Sequence, residues 1–358
     1  MINVTKTYLP PFEEYSLILK RAWDKAWITN NGELVQELEQ KLKEYLGVRH
    51  LLFTTNGTVV LQMALKAYNI TGEVITTPFS YVATTNVLLW EKCTPVFADI
   101  DTHTFCIDPD KIEALITERT QAILATHVYG YPCAVEKIET IAAKHKLKVI
   151  YDGAHAFGAK YKEKALLSYG DISTCSFHAT KLFHTVEGGC IICHDEETYT
   201  KLFLYRSFGH TGDDYYSVGI NGKNSEFHAA MGLAVLPSME WLIKQRKDAA
   251  TLYSDGLKGT DLIYPSSVNI SEHKWNYAYW PVLFGSEDKL LQARSILLDN
   301  GFNTRRYFFP SLNTLPFLTG SQCCPVSEDI SRRVLCLPMQ HDLAPDNIKQ
   351  VCAILNRI

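Results

Sequence analysis

The chain has 358 residues, of which 46% are hydrophobic and 21% charged, the balance of an ordinary folded globular protein. Its formal net charge of −4 argues against a dedicated nucleic-acid-binding protein, because such proteins usually carry a strongly basic surface. No apolar run approaches the roughly 20 residues that cross a bilayer, and the first residues lack the apolar core of a signal peptide. These features predict a soluble cytoplasmic protein without a membrane partner.

The ten cysteines are expected to be reduced and mostly buried, as is usual in the cytoplasm. Cys190 and Cys193 form the sequence CIIC, and Cys323 and Cys324 are adjacent. CIIC lies within an apolar, strand-like run and has no second Cys or His pair at zinc spacing. We therefore expect no metal site.

In chain order, the first half alternates short apolar runs with helical patterns. Helical patterns occupy 58–68 and 133–146. Continuous apolar runs are typical of strands covered on both faces, as in a mainly parallel sheet. Seven such runs lie at 50–54, 73–77, 95–99, 122–127, 148–152, 172–177 and 189–193. The alternation predicts a doubly wound α/β domain, in which ligands bind beyond the carboxyl ends of the strands.

The pattern changes after about residue 225, where long helical segments replace the regular alternation. The elements expected there are a helical stretch at 225–257, a strand-like run at 276–284 and helices at 286–299 and 344–356. We therefore predict a large domain over 1–244 and a smaller α+β domain over 245–358.

Small and polar residues follow the first strand candidate, at positions 55–58. Gly57 lets the backbone approach a ligand, and a helix beginning here offers free N–H groups to a phosphate. An ordinary helix N-cap by Asn56 or Thr58 explains the same residues. Taken alone, these residues favour capping.

Two ionisable residues follow later strand candidates. Asp152 ends the run 148–152, where a carboxylate either caps the next helix or, when buried, holds the ring nitrogen of pyridoxal phosphate. Lys181 ends the loop after 172–177, and a lone lysine in such a place is commonly a solvated surface residue. Together with Gly57, however, these residues describe one pocket with a phosphate cup, a carboxylate and a reactive amine.

Ten ordered motifs along nearly the whole chain resemble the DegT/DnrJ/EryC1/StrS sugar aminotransferases, of the fold-type-I pyridoxal-phosphate class. The motifs are WITNNG (27–32), TNGTVVLQMAL (55–65), TTPFSYVATTN (76–86), PVFADID (95–101), THVYGYP (126–132), YDGAHAFGA (151–159), SFHATKLFHTVEGG (176–189), GINGKNSEFHAAMG (219–232), RRYFFP (305–310) and VLCLPM (334–339). The resemblance implies an aspartate-aminotransferase-like large domain with a seven-stranded, mainly parallel sheet, a smaller C-terminal α+β domain, and pyridoxal 5'-phosphate as cofactor.

The same resemblance implies roles for individual residues. Lys181 looks like the Schiff-base lysine, Asp152 like the acid that pairs with the pyridine nitrogen, and His155 like the catalytic residue beside the cofactor's O3′. Tyr81 matches the aromatic side chain that stacks on the cofactor ring. The phosphate ligands implied are Gly57, Thr58, Ser176 and, from the neighbouring subunit, Asn221. A ligand from the neighbouring subunit implies an obligate homodimer with shared active sites.

The substrate contacts implied by the resemblance are Thr29, Asn30, Lys223, Arg305 and Tyr307. Lys223 is placed where the family often has a cation near the substrate's diphosphate. The pair Arg305–Arg306 could serve the same diphosphate, although a surface ion pair explains two arginines equally well. We interpret His178 and His184 as structural or pocket-lining residues.

A sister group of this family dehydrates its substrate and has histidine at the lysine position, so Lys181 favours transamination. Segments 76–86 and 176–189 resemble the subgroup that transfers an amino group from L-glutamate to C4 of dTDP-4-dehydro-6-deoxy-D-glucose. The implied product is dTDP-4-amino-4,6-dideoxy-D-glucose, an O-antigen precursor.

Four other functions are alternatives to this one. They are a sugar 3-aminotransferase, a UDP- or GDP-sugar 4-aminotransferase, a dehydratase, and a non-catalytic regulator that binds pyridoxal phosphate. The regulator has no support, because every reactive position is filled.

Overall fold

The centre of the molecule is a seven-stranded sheet. The computed structural model describes residues 1–263, 270–320 and 322–358. The strands are β1 (His50–Thr54), β2 (Glu73–Thr76), β3 (Thr94–Phe97), β4 (Thr120–Thr126), β5 (Lys148–Asp152), β6 (Ile172–Ser176) and β7 (Gly189–Cys193). Their spatial order is β1-β7-β6-β5-β4-β2-β3, and every neighbouring pair is parallel except the two that β7 makes. This confirms the predicted mainly parallel sheet, with bounds within two residues of those expected.

Both faces of the sheet are covered, which is why its strands have continuous apolar sequences. Every residue of β1, β2 and β7 is buried. Within β7, Cys190 packs into the cluster on one face and Cys193 into the cluster on the other. The two thiols of CIIC therefore face opposite sides of the sheet. All ten cysteines are free, and Cys323 is the exposed one.

The described segments contain eleven α-helices. They are α1 (Phe12–Asp24), α2 (Glu33–Leu46), α3 (Gly57–Ala67), α4 (Ala83–Trp90), α5 (Val135–His145), α6 (Glu196–Arg206), α7 (Glu226–Val235), α8 (Met239–Gly256), α9 (Glu287–Asp299), α10 (Pro325–Arg333) and α11 (Pro345–Leu355). Among these described helices, none has both the length and the apolar composition needed to cross a bilayer.

The helical stretch predicted at 225–257 is two helices, α7 and α8. A short 3₁₀ turn at Leu236–Ser238 separates them. Pro237 lies in this turn, and its missing N–H interrupts the helical hydrogen bonds. The predicted division of the chain at residue 244 falls inside α8 and stays a prediction.

The strand predicted at 276–284 is shorter in the structure, where β8 (Trp280–Leu283) pairs with β9 (Val334–Leu337) in antiparallel fashion. The residues before β8 do not extend the strand and instead contact the loop after β5. Asn276 Nδ2 donates to the carbonyls of His155 and Phe157, at 2.7 and 2.9 Å. Tyr277 has a φ of 54°, outside the range of a strand. This segment therefore lies against the loop that follows β5.

The C-terminal residues form their own apolar cluster, in which α8, α9 and α11 pack against β8 and β9. The extreme N-terminus joins this part of the molecule, because Ile2–Asn3 pairs in parallel with Phe302–Asn303. Five further two-residue strands are Lys160–Tyr161, Lys164–Ala165, His210–Thr211, Asp214–Tyr215 and His273–Lys274.

Candidate active site

A cavity of about 340 Å³ lies at the carboxyl ends of β1, β5 and β6. Nine of the residues predicted from the sequence line it: Gly57, Thr58, Tyr81, Asp152, His155, Ser176, Lys181, Arg305 and Tyr307. A larger cavity, of about 540 Å³, lies near Lys148 and Asp171 at the opposite ends of β5 and β6. The predicted site residues therefore lie in the smaller of the two cavities, at the sheet edge where ligands of such folds bind.

Asp152 is the last residue of β5, and its side chain is buried. Its Oδ2 accepts a hydrogen bond from the Thr84 hydroxyl at 2.8 Å, and its Oδ1 accepts one from the Ala154 N–H at 3.1 Å. Burial raises the pKa of this carboxyl group, while the two hydrogen bonds and the charge of Lys181 oppose the rise. No α-helix starts in the described turns directly after Asp152, so the alternative of a helix cap is not realised.

Lys181 ends the loop after β6, in a turn closed by its own N–H and the His178 carbonyl at 2.9 Å. Its side chain is half-buried and lines the cavity. Burial lowers the pKa of the ammonium group, and the Asp152 carboxylate counteracts this effect. A lowered pKa increases the fraction of neutral amine, which is the nucleophilic form. Lys181 is thus not the solvated surface residue that its sequence alone allowed.

His155 is buried beside Lys181, and burial lowers the pKa of its imidazole well below the ordinary range, with the Lys181 charge acting in the same direction. Its Nδ1 accepts the Tyr129 N–H at 3.2 Å. A neutral ring with an accepting Nδ1 carries its proton on Nε2, an assignment made from this hydrogen bond. The ring lies parallel to Phe308, with the ring centroids 5.6 Å apart. His155 is therefore a fixed, neutral hydrogen-bond donor in the cavity wall.

The turn after β1 is both a helix cap and a cradle. Asn56 Oδ1 accepts the N–H groups of Thr58 and Val59, at 3.0 and 2.9 Å, so the capping interpretation is correct. A Cβ atom at Gly57 would come within 2.7 Å of Ser176 Cβ, which explains the glycine. Thr58 and Ser176, which both carry hydroxyl groups, line the cavity at the positive end of α3, where an anion is stabilised.

Four predicted site residues are not among the described residues that line the cavity: Thr29, Asn30, Asn221 and Lys223. The first two are exposed. Lys223 Nζ donates to Asn221 Oδ1 at 2.9 Å and lies 4.7 Å from the centroid of the Phe208 ring. These residues do not join the cavity of their own chain.

The two arginines of the pair 305–306 have different surroundings. Arg305 lines the cavity, with its guanidinium 5.4 Å from the centroid of the Tyr307 ring. Arg306 instead forms an ion pair with Glu287 at 2.7 Å and donates to the Arg332 carbonyl at 2.9 Å. The structure thus divides the pair into one cavity residue and one structural residue.

The two histidines near Lys181 also differ. His178 lines the cavity, and its Nε2 lies 3.6 Å from Glu187 Oε1. His184 is fully buried, with its Nε2 2.6 Å from the Tyr8 carbonyl and its Nδ1 accepting the Val186 N–H. One is therefore pocket-lining and the other structural, the two alternatives that the sequence left open.

Sequence reasoning missed several residues of this site. Ser80 and Thr84 are four residues apart within the motif 76–86, from which only Tyr81 was selected. Thr126 ends β4 directly beside Asp152 in the sheet register, so the strand-end rule could have found it. Tyr279 and Phe308 line the cavity from the C-terminal part; Phe308 lies in the motif 305–310, from which only the arginines and Tyr307 were selected, and no local signal marks Tyr279.

Comparison with known proteins identifies the family of this chain. The family model described as the DegT/DnrJ/EryC1/StrS aminotransferase family matches residues 13–356. The chain belongs to the DegT/DnrJ/EryC1/StrS aminotransferase family. Membership confirms the expected class of sugar aminotransferase, the fold and the dependence on pyridoxal phosphate.

Two relatives and one solved structure are similar to this chain over nearly its full length. A dTDP-4-amino-4,6-dideoxy-D-glucose transaminase of Shigella dysenteriae is 40% identical, covering 100% of this chain and 99% of the relative. A GDP-perosamine synthase of Escherichia coli O157:H7 is 31% identical, covering 93% and 92%. The crystal structure of DesI in the presence of its TDP-sugar product superposes with a TM-score of 0.94 and 31% identity, covering 99% and 92%.

The residues of the cavity fit the cofactor that the family uses. A close-packed Gly57–Ser176 cradle can hold its phosphate, and a buried carboxylate, Asp152, can face its ring nitrogen. Lys181 supplies an amine in the same cavity, and His155 a neutral donor. Among the described residues there is no group of three or more His, Cys, Asp or Glu side chains that could hold a metal ion.

Proposed function

We propose that this enzyme transfers the amino group of L-glutamate to C4 of a nucleotide-linked 4-keto-6-deoxysugar. The proposed substrate is dTDP-4-dehydro-6-deoxy-D-glucose and the proposed product dTDP-4-amino-4,6-dideoxy-D-glucose, for O-antigen synthesis. The observation that carries the proposal is the presence of an amine, Lys181, in one cavity with the buried Asp152. The choice of sugar is supported by the 40% identity with the Shigella transaminase over the full chain.

Pyridoxal phosphate, when bound, supplies a ring that accepts electrons from the carbon atom that loses its proton. Asp152 holds the proton on the ring nitrogen with its ionised carboxylate. Lys181 Nζ is the amine that would hold the cofactor covalently, and as a free amine it would carry a proton to and from the reacting carbon. His155 Nε2 would donate a hydrogen bond to the cofactor, and Tyr81 would stack on it.

The remaining roles concern the anionic groups. The Thr58 and Ser176 hydroxyls and the N-terminal turn of α3 bind the cofactor phosphate. Arg305 and Tyr307 contact the sugar nucleotide within the cavity of their own chain. Asn221, Lys223, Thr29 and Asn30 reach the cavity of a second subunit, which makes the enzyme a homodimer with shared sites. The cytoplasmic location expected from the sequence stays a prediction.

A second candidate is a 4-aminotransferase for GDP-linked sugars, favoured by the 31% identity with the GDP-perosamine synthase. The two candidates share the chemistry at C4 and differ in the nucleotide. Their separation therefore requires a comparison of nucleotides under the same conditions.

The experiment is a panel of dTDP-, UDP- and GDP-linked 4-keto-6-deoxysugars with L-glutamate and pyridoxal phosphate. We expect one 2-oxoglutarate per product, the highest kcat/KM with the dTDP sugar, and NMR signals that place the new amine at C4. Lys181→Ala is the control and should form no product. An amine at C3, a dehydrated sugar, or a preference for the GDP sugar would each overturn the corresponding part of the proposal.

A further inference from the structure

Three buried hydroxyl groups form a row that ends on Asp152. The Thr126 hydroxyl lies 3.1 Å from Ser80 Oγ, Ser80 Oγ lies 2.8 Å from Thr84 Oγ1, and Thr84 Oγ1 lies 2.8 Å from Asp152 Oδ2. All four side chains are buried. They come from the end of β4, the loop after β2, the first turn of α4 and the end of β5, so the row joins four separate parts of the large sheet's ligand edge.

The direction of these hydrogen bonds follows from the carboxylate. An ionised carboxylate only accepts, so the single Thr84 hydroxyl proton points at Asp152. Thr84 Oγ1 must then accept from Ser80, and Ser80 Oγ must in turn accept from Thr126. Every hydroxyl proton in the row therefore points toward Asp152, and hydrogen bonds aligned in this way polarise one another.

This row of hydroxyl groups stabilises the ionised form of Asp152, which burial disfavours. Burial alone favours the neutral carboxylic acid, which cannot accept a proton from a ring nitrogen. Hydrogen bonds to the charged form favour the carboxylate, and charge-assisted hydrogen bonds are the strong ones. The Thr84 bond also fixes one oxygen of Asp152, while the Ala154 N–H fixes the other at 3.1 Å.

We propose that Thr84, supported by Ser80 and Thr126, is a positioning residue that keeps Asp152 ionised and oriented for the pyridine nitrogen of the cofactor. This inference rests on the role proposed above for Asp152. Ser80 and Thr126 line the cavity, whereas Thr84 lies behind it and is not among the described lining residues. Thr84 therefore acts on the cavity indirectly, and its side chain is hydrogen-bonded to two residues that line it, Asp152 and Ser80.

The neighbouring threonine offers a matched control. Thr85 is as fully buried as Thr84, but its hydroxyl has no hydrogen-bond partner among the described residues. Thr85→Val therefore makes the same chemical change one residue away, without touching the row. If Thr84→Val and Thr85→Val differ in cofactor binding, the difference is due to the hydrogen-bonded row and not to the loss of any buried hydroxyl group in α4.

The experiment measures the dissociation constant of pyridoxal phosphate from the otherwise intact protein as a function of pH, by absorbance of the bound cofactor. For Thr84→Val we expect about tenfold weaker binding at neutral pH, the effect of one charge-assisted hydrogen bond. Because the lost bond had lowered the pKa of Asp152, the acidic loss of binding should begin about one pH unit higher. Thr84→Ser should restore both properties, and Thr85→Val should match the wild type.

Asp152→Asn separates failure of this inference from failure of the proposed function. If Asp152→Asn weakens cofactor binding and changes its absorbance while Thr84→Val behaves like Thr85→Val, only the hydroxyl row is refuted. If Asp152→Asn leaves both properties unchanged, the proposed role of Asp152 itself is wrong. If Thr84→Ser fails to rescue although Thr84→Val is impaired, the hydroxyl group does not account for the effect and the inference is overturned.

Discussion

At Lys181 and Asp152, burial acts on two opposite charges within one cavity. It lowers the pKa of the amine and raises that of the carboxyl group, so each is pushed toward its neutral form. Each charge opposes the shift of the other. The result suits the proposed chemistry, because the amine must give up its proton to react while the carboxylate must stay charged.

The arginine pair shows how adjacent residues can serve different purposes. We expect Arg305→Ala to raise the KM for the sugar nucleotide roughly 10- to 100-fold, the effect of losing one or two hydrogen bonds to a charged group. The thermal unfolding temperature should stay near that of the wild type. Steady-state kinetics and thermal melting provide the two measurements.

Arg306→Ala is the matched variant, because its side chain pairs with Glu287 and not with the cavity. It should lower the free energy of unfolding by about 1–2 kcal/mol and leave the KM nearly unchanged. A raised KM for Arg306→Ala together with normal kinetics for Arg305→Ala would reverse the two assignments.

A site residue could be predicted from the sequence when its neighbours along the chain form a recognisable strand. Asp152 ends a buried strand, and Gly57 and Lys181 follow one, so the strand-end rule marked them as candidates and the family resemblance supplied their roles. Thr84 gave no such signal, because its importance comes from a contact with Asp152, 68 residues later. Side-chain partners so far apart in sequence are fixed by tertiary packing.

At the scale of elements, the buried strands were predictable and several helices were not. Mostly apolar runs located β1 to β7, because most of these strands are covered on both faces. Helix α4 is only eight residues long and begins without a side-chain cap, so it offers neither a periodic pattern nor a start signal. The helical pattern also predicted α7 and α8 as one continuous stretch, because only a three-residue turn containing a proline separates the two helices.

Exposed apolar side chains lie in the hairpin formed by His210–Thr211 and Asp214–Tyr215 and in the residues that follow it in the chain toward Asn221. Tyr215 and Val218 are 78% and 92% exposed. Burying such residues on association is favourable, so we expect a second copy of the chain to cover this surface. Under the proposed function, this interface would include Asn221, which one subunit is expected to supply to the cavity of the other.

Val218→Asp should therefore shift the protein from dimer to monomer and weaken binding of pyridoxal phosphate. Light scattering at several protein concentrations measures the mass, and absorbance measures the bound cofactor. Leu298→Asp is the control, because Leu298 is a partly exposed apolar residue of α9, remote in sequence from the hairpin. A wild-type monomer that binds the cofactor fully would contradict the shared site.

At the scale of the whole molecule, the parallel sheet explains why distant residues meet. Its carboxyl ends bring the turns after β1, β5 and β6 to one edge, where they form three sides of the cavity. The C-terminal part closes it with Tyr279, Arg305 and Tyr307. The sequence predicted the first three sides from the residues at the strand ends, and Arg305 and Tyr307 from the family resemblance, but the position of the C-terminal segments depends on packing between elements far apart in the chain.

The most direct test of this account is to identify the lysine that bonds the cofactor. The holoenzyme would be reduced with borohydride, digested, and mapped by mass spectrometry. We predict that the cofactor is found on the peptide containing Lys181, and that Lys181→Ala still binds pyridoxal phosphate without forming the reduced adduct. A stable adduct on any other lysine would contradict the central claim that this cavity is the active site.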